Sequence, residues 1–205
     1  MKKLFQKSGV ALVEALIAVT MMASGAVILG TIIQNANTSI ILSRDYLVAQ
    51  NFITEATEGI KNIRSTNWIL YPQETKCWMD LAHKCGDSIA GEPSVPPITT
   101  NFYGIYFDNE KNIWNLENNL LLDLNLNNGE EKMVEYRLFK YYDEKNKFTM
   151  YTSKEDINDE PSKFYRQIRF LESSDEKTTV EIKVEWKDGA QIRNLSRYVT
   201  LYNYK

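Results

Sequence analysis

One histidine, His83, and two cysteines, Cys77 and Cys85, are all the imidazole and thiol that these 205 residues contain. That scarcity excludes centres built on paired histidines. Cys77, His83 and Cys85 supply three soft ligands with no clear fourth, so a loop closed by a Cys77–Cys85 disulfide is preferred to a metal site. Two reduced thiols in a cytosolic loop are the alternative. Phosphate-binding glycine loops and serine elbows are also missing, and the carboxylates are scattered. The chain therefore reads as a non-enzyme that needs no cofactor and no metal. A net positive balance is lacking too: the formal net charge is -3, which gives no electrostatic reason to expect nucleic acid as the main partner.

Acid is absent from the first nine residues, which carry Lys2, Lys3 and Lys7. Without those three lysines the formal charge falls from -3 to -6, so the remainder is acidic. Charge then almost vanishes. From Val10 to Ile33 the sequence runs VALVEALIAVTMMASGAVILGTII, 24 residues with Glu14 alone charged. A helix of that length spans roughly 36 Å, enough for a bilayer core. It is too long for a cleaved secretory segment, and no small-residue cleavage site follows it. The lysines hold its N-terminal side in the cytoplasm, and the rest of the chain lies across the membrane.

Glu14 is out of place in a plain anchor, because an unpaired carboxylate in that position costs about 3 kcal/mol. It stands in the frame Lys7-Ser8-Gly9-Val10-Ala11-Leu12-Val13-Glu14. This frame resembles the N-terminal signal of type IV prepilins and pseudopilins: a short basic leader, a glycine, a hydrophobic first mature residue, a glutamate at the fifth, then an apolar run. Val10, Ala11 and Val13 depart from the residues commonest at those positions but keep their hydrophobic character. The resemblance implies a prepilin peptidase that cuts between Gly9 and Val10 and N-methylation of the new Val10 amine. It also implies assembly with other pilin subunits through an inner-membrane platform. Glycine at the cut lets the backbone extend into a protease cleft. Glu14, buried among packed helices, would take the Val10 amino terminus of its own or a neighbouring subunit as its cation, setting register.

The expected fold class is α+β. A long N-terminal helix, apolar in its transmembrane half and amphipathic beyond, packs on an antiparallel β-sheet head. The divisions are a leader at 1–9, an apolar helix half at 10–33, an amphipathic half at 34–66 and a loop plus head at 67–205. Ala49, Phe52, Ile53, Ala56, Ile60 and Ile63 step by three and four along one face, while Glu55, Glu58, Gly59 and Lys61 mark the solvent side. The helix is expected to end near Ile63, with 62–68 as its exit and Pro72 as a stop. Gly25 and Gly30 allow either close helix contact or local unwinding.

Residues 71–100 hold four of the five prolines and both cysteines and read as a loop. Two-fold alternation follows: strands at 102–107 and 113–116 joined through Asp108-Asn109, then 120–126 and 133–142 joined by a hairpin at Asn127-Asn128-Gly129. The stretch from Asp123 has some calcium-loop spacing, but Gly129 falls one place late and the twelfth position is Val134. Strands at 164–171, 180–186 and 192–204 complete an antiparallel meander that resembles minor-pilin heads. Tyr141, Tyr142, Tyr151, Tyr198, Tyr202 and Tyr204 form either an adhesive surface or ordinary sheet packing.

A minor pilin is the expected function. The rivals are a pseudopilin of a type II secretion system and a non-polymerising single-pass membrane protein with an exported binding domain.

Overall fold

The computed structural model describes residues 2–73, 77–79, 102–108, 113–120, 123–143, 148–152, 160–174 and 176–204, with side chains from residue 10 onward except at 117–120, 141–143 and 148–152. Cys85, His83, the turn at Asn109 and the side chains of Tyr141, Tyr142 and Tyr151 lie outside the described residues. The fold is α+β, as the sequence implies: a long N-terminal helix packed on an antiparallel sheet. The chain divides into two compact units, 1–45 and 46–205.

Helix α1 (Lys2–Leu70) meets no proline until Pro72. It runs seven residues past the expected end at Ile63. Asn67, read as part of the exit, is buried, and its amide donates to the Trp78 carbonyl at 3.4 Å. Trp68 Nε1 donates to Asn203 Oδ1 at 3.4 Å, and Arg64 stacks over the Trp68 ring. These tertiary partners hold the last turns. The Tyr71 N–H still bonds the Asn67 carbonyl at 2.9 Å, and the adjoining proline then disfavours helical geometry at Tyr71.

Among the described residues seven strands form the sheet, all pairs antiparallel: β1 (Phe102–Asp108), β2 (Ile113–Leu120), β3 (Arg137–Asp143), β4 (Phe148–Thr152), β5 (Glu160–Ser173), β6 (Lys177–Asp188) and β7 (Gln191–Tyr202). The arrangement is not a simple meander. The 14-residue β5 pairs with β6 from Phe164 to Ser173. It also pairs with β3 near its start and with β1 at Ile168 and Arg169. Two hairpins, β1–β2 and β3–β4, therefore join the β5–β6–β7 meander through β5. The β6–β7 turn falls where expected, with Gly189 at φ 59° in the left-handed region that Asp-Gly turns use.

The expected helix face packs on this sheet. Ala49, Phe52, Ile53, Ala56, Ile60 and Ile63 are buried against Ile105, Ile168 and the alternating β6 row Val180, Ile182, Val184 and Trp186. Full burial of each large apolar side chain stabilises by about 1.5–3 kcal/mol. Trp78 and Met79, inside the stretch read as loop, are also fully buried there. A short 3-10 turn carries them inward because two large side chains outweigh the loop composition around them.

Gly59 corrects a further expectation. It faces the core, not solvent: a Cβ there would lie 2.7 Å from Ile105 Cδ1 and 2.9 Å from Trp114 Cε3. Its neighbour Glu58 is exposed and pairs with Lys61 at 2.8 Å, whereas Glu55 is half-buried. Gly59→Ala should therefore lower stability by about 1–2 kcal/mol despite alanine's better helix propensity, measured by urea unfolding in detergent.

The expected hairpin at Asn127-Asn128-Gly129 is absent. Two 3-10 turns, Leu126–Asn128 and Glu130–Tyr136, form a strap instead. Asn125 caps the first by accepting from the Asn127 N–H, and Gly129 takes φ 101°. The alternation of Leu124 and Leu126 is real, but both bury with Met133, Tyr136 and Tyr165 in a second core. Polar clamps win over a ladder. The Leu126 N–H donates to buried Glu185 at 2.9 Å. Gln167, with its amide turned to satisfy both ends, donates to Asp123 and accepts from the Leu124 N–H and the Tyr136 hydroxyl.

Glu130 pins the far end of the strap, accepting from Lys187 at 3.0 Å and Arg137 at 3.2 Å. The Lys187 hydrogen bond leads in holding its carboxyl below the usual range. That contribution is present at neutral pH and lost as pH falls through the depressed value.

Burial pushes the Tyr136 hydroxyl up to about 12. The unfolded tyrosine ionises near 10, so the folded state alone keeps the proton between those values. Stability should be intact below pH 10 and fall by about 2–3 kcal/mol on the way to pH 12. Tyr136→Phe should flatten that slope in unfolding titrations.

Candidate assembly helix

The apolar part of α1 bonds its hydroxyl groups to its own backbone. Thr20 donates to the Ile17 carbonyl at 2.8 Å, Ser24 to Met21 at 2.9 Å, and Thr31 to Ile28 at 2.8 Å. These are the three hydroxyls of the segment 10–33. Each is bonded back into its own helix, the arrangement an environment without water demands.

The surface they leave is greasy all round. Val10, Leu12, Val13, Leu16, Ile17, Val19, Met21 and Met22 are exposed, as are Val27 to Leu29, Ile32 and Ile33. The helix is long and apolar enough to cross a membrane, and no part of its most apolar window is buried within the chain. A helix with no polar face belongs in lipid or against other apolar helices. At Gly25 and Gly30 an added Cβ would meet nothing within 4 Å, so nothing among the described residues requires glycine there.

Glu14 is the exception. It is exposed, one helical turn beyond Val10, and has no hydrogen bond or ion pair among the described residues. Every other polar side chain of the segment is internally matched, and this carboxylate is not. Spacing of four residues puts Val10 and Glu14 on one face. In the uncut chain the Val10 nitrogen is a neutral peptide N–H, and only cleavage after Gly9 turns it into a cation. Gly9 itself lies within the helical backbone of α1.

Cys77 is disulfide-bonded and sits at the start of the buried turn that carries Trp78 and Met79. Among the described residues there is no cluster of three or more histidine, cysteine or acidic side chains able to hold a metal ion. The sequence frame singles out Glu14 but not the three back-bonding hydroxyls; serine and threonine inside an apolar helix are their signal. Compared with family models, curated proteins and solved structures, the chain matches none.

Proposed function

We propose that this chain is a structural subunit of a type IV pilus, a minor or accessory pilin without enzymatic activity. A prepilin peptidase removes residues 1–9 on the cytoplasmic side, and the Val10 amine is methylated. The apolar helix holds the subunit in the inner membrane and then in the filament, with the sheet unit facing the periplasm or the exterior. The reading is carried by Glu14, among the described residues the single unmatched polar side chain of segment 10–33, whose three hydroxyls bond back to the helix and whose surface is otherwise apolar. Packed among apolar helices, that carboxylate gains a partner only from another charged group, and the freed Val10 amine supplies one.

The test is the composition of sheared surface filaments from the producing cell. The chain is expected in the filament fraction, and in the membrane fraction alone when the peptidase is deleted. Its absence from every filament preparation, with normal membrane levels, would favour the non-polymerising rival. Loss of secreted cargo with pili intact on deletion of the gene would instead identify a type II secretion pseudopilin.

A further inference from the structure

β7 ends the sheet, and among the described residues its only guards are two arginines, Arg193 and Arg197. Natural proteins protect an open edge with prolines, charged side chains, bulges or short strands. β7 contains neither proline nor lysine. Its register with β6 runs unbroken over twelve pairs, from Lys177↔Tyr202 to Asp188↔Gln191. Among the described residues β6 is its only partner. The other terminal strands offer less: β4 has five residues, and the β1–β2 ladder carries a register shift.

The side chains along that edge follow a rule. On the face toward the helix, Arg193, Leu195, Arg197 and Val199 alternate arginine with an aliphatic residue. Leu195 and Val199 lie partly buried at the margin of the main core. Arg197 is exposed, with no hydrogen bond or ion pair among the described residues. Arg193 reaches Asp188 only at 3.8 Å. The opposite face carries Tyr198 and Tyr202, 63% and 47% exposed.

We propose that β7 is a docking edge for an extended acidic segment of another protein, added as an eighth strand. Backbone hydrogen bonds would supply the affinity and alternate side chains the choice of partner. Facing the row of arginine and aliphatic residues, the incoming strand presents acid and aliphatic side chains at every second position. Its aliphatic groups complete the burial of Leu195 and Val199, and its acids meet Arg193 and Arg197. Charge selects against a second copy of β7, because two such edges would set four arginines and no acid along one ribbon.

The probe is a capped nonapeptide in which threonine alternates with glutamate and valine, added to the full chain in detergent micelles and followed by hydrogen–deuterium exchange. The expected result is exchange slowed by about tenfold or more at amides within 191–202. The protection should vanish when alternate peptide nitrogens are methylated, and affinity should fall about fivefold in Arg197→Glu with its thermal unfolding unchanged. No β7 protection at millimolar peptide would overturn the proposal. So would equal binding by the methylated peptide or by one with lysine in place of glutamate. Protection that rises with protein concentration in the absence of peptide would assign the edge to a second copy and overturn it too.

Discussion

Arg166→Ala should destabilise the sheet unit by about 3–5 kcal/mol, the largest effect expected from any single substitution there. Arg166 is 2% exposed, in the middle of β5. One guanidinium nitrogen donates to the Phe52 carbonyl of α1 at 3.2 Å and to Glu55 at 3.1 Å. The other terminal nitrogen donates to the Ile105 carbonyl of β1 at 2.8 Å. One side chain thus ties the helix to two strands. Truncation leaves buried acceptors short of a donor and opens a cavity beside Phe52.

Arg166→Met should cost less, about 1–3 kcal/mol, since it fills the volume and removes a buried Nε that has no partner among the described residues. Glu55→Gln should cost under about 1 kcal/mol, because Glu55 is a third exposed. Urea unfolding of the full chain in detergent, followed by tryptophan fluorescence, measures all three. A ranking in which Glu55→Gln exceeds Arg166→Ala would remove Arg166 from this role.

Glu14→Ala should leave membrane insertion, cleavage after Gly9 and the stability of the sheet unit unchanged. It should reduce incorporation into filaments by about tenfold or more. The argument is one of placement. Glu14 makes no hydrogen bond or ion pair in its own chain among the described residues, so its loss breaks none there. Removing a charge from an apolar segment makes the lone helix more comfortable in lipid, by at most about 3 kcal/mol, the insertion cost of an acid at a helix centre. On the proposed role, any cost appears between subunits, where the acid would specify which helix depth pairs with which amino terminus. Quantifying the chain in sheared filaments against the membrane fraction gives the result, and unchanged incorporation would contradict the register role. Glu14→Asp, one methylene shorter, should assemble partially.

What the sequence made legible follows from how local each signal is. The frame from Lys7 to Glu14 is contiguous, so the candidate site can be read without knowing any tertiary contact. Val180, Ile182, Val184 and Trp186 alternate strictly because β6 is covered on one face, and the same one-sided burial sets the Ala49-to-Ile63 pattern. Gly59 was misplaced because a residue without a side chain gives periodicity no vote; only the approach of Ile105 and Trp114 assigns its face. Leu124 and Leu126 alternate as a strand would, yet distant partners, Glu185 and Gln167, draw them into a strap. Arg166 gave no local signal at all. A basic residue in a strand is ordinarily solvated, and its three acceptors lie 61 to 114 positions away.

The mass of the N-terminal peptide from native protein extracted out of the membrane bears most directly on all of this. A chain that opens at methylated Val10 and keeps its hydrophobic helix is the predicted result. A peptide that still carries Met1, or a polypeptide from which the whole helix 10–33 has been removed, would contradict the account.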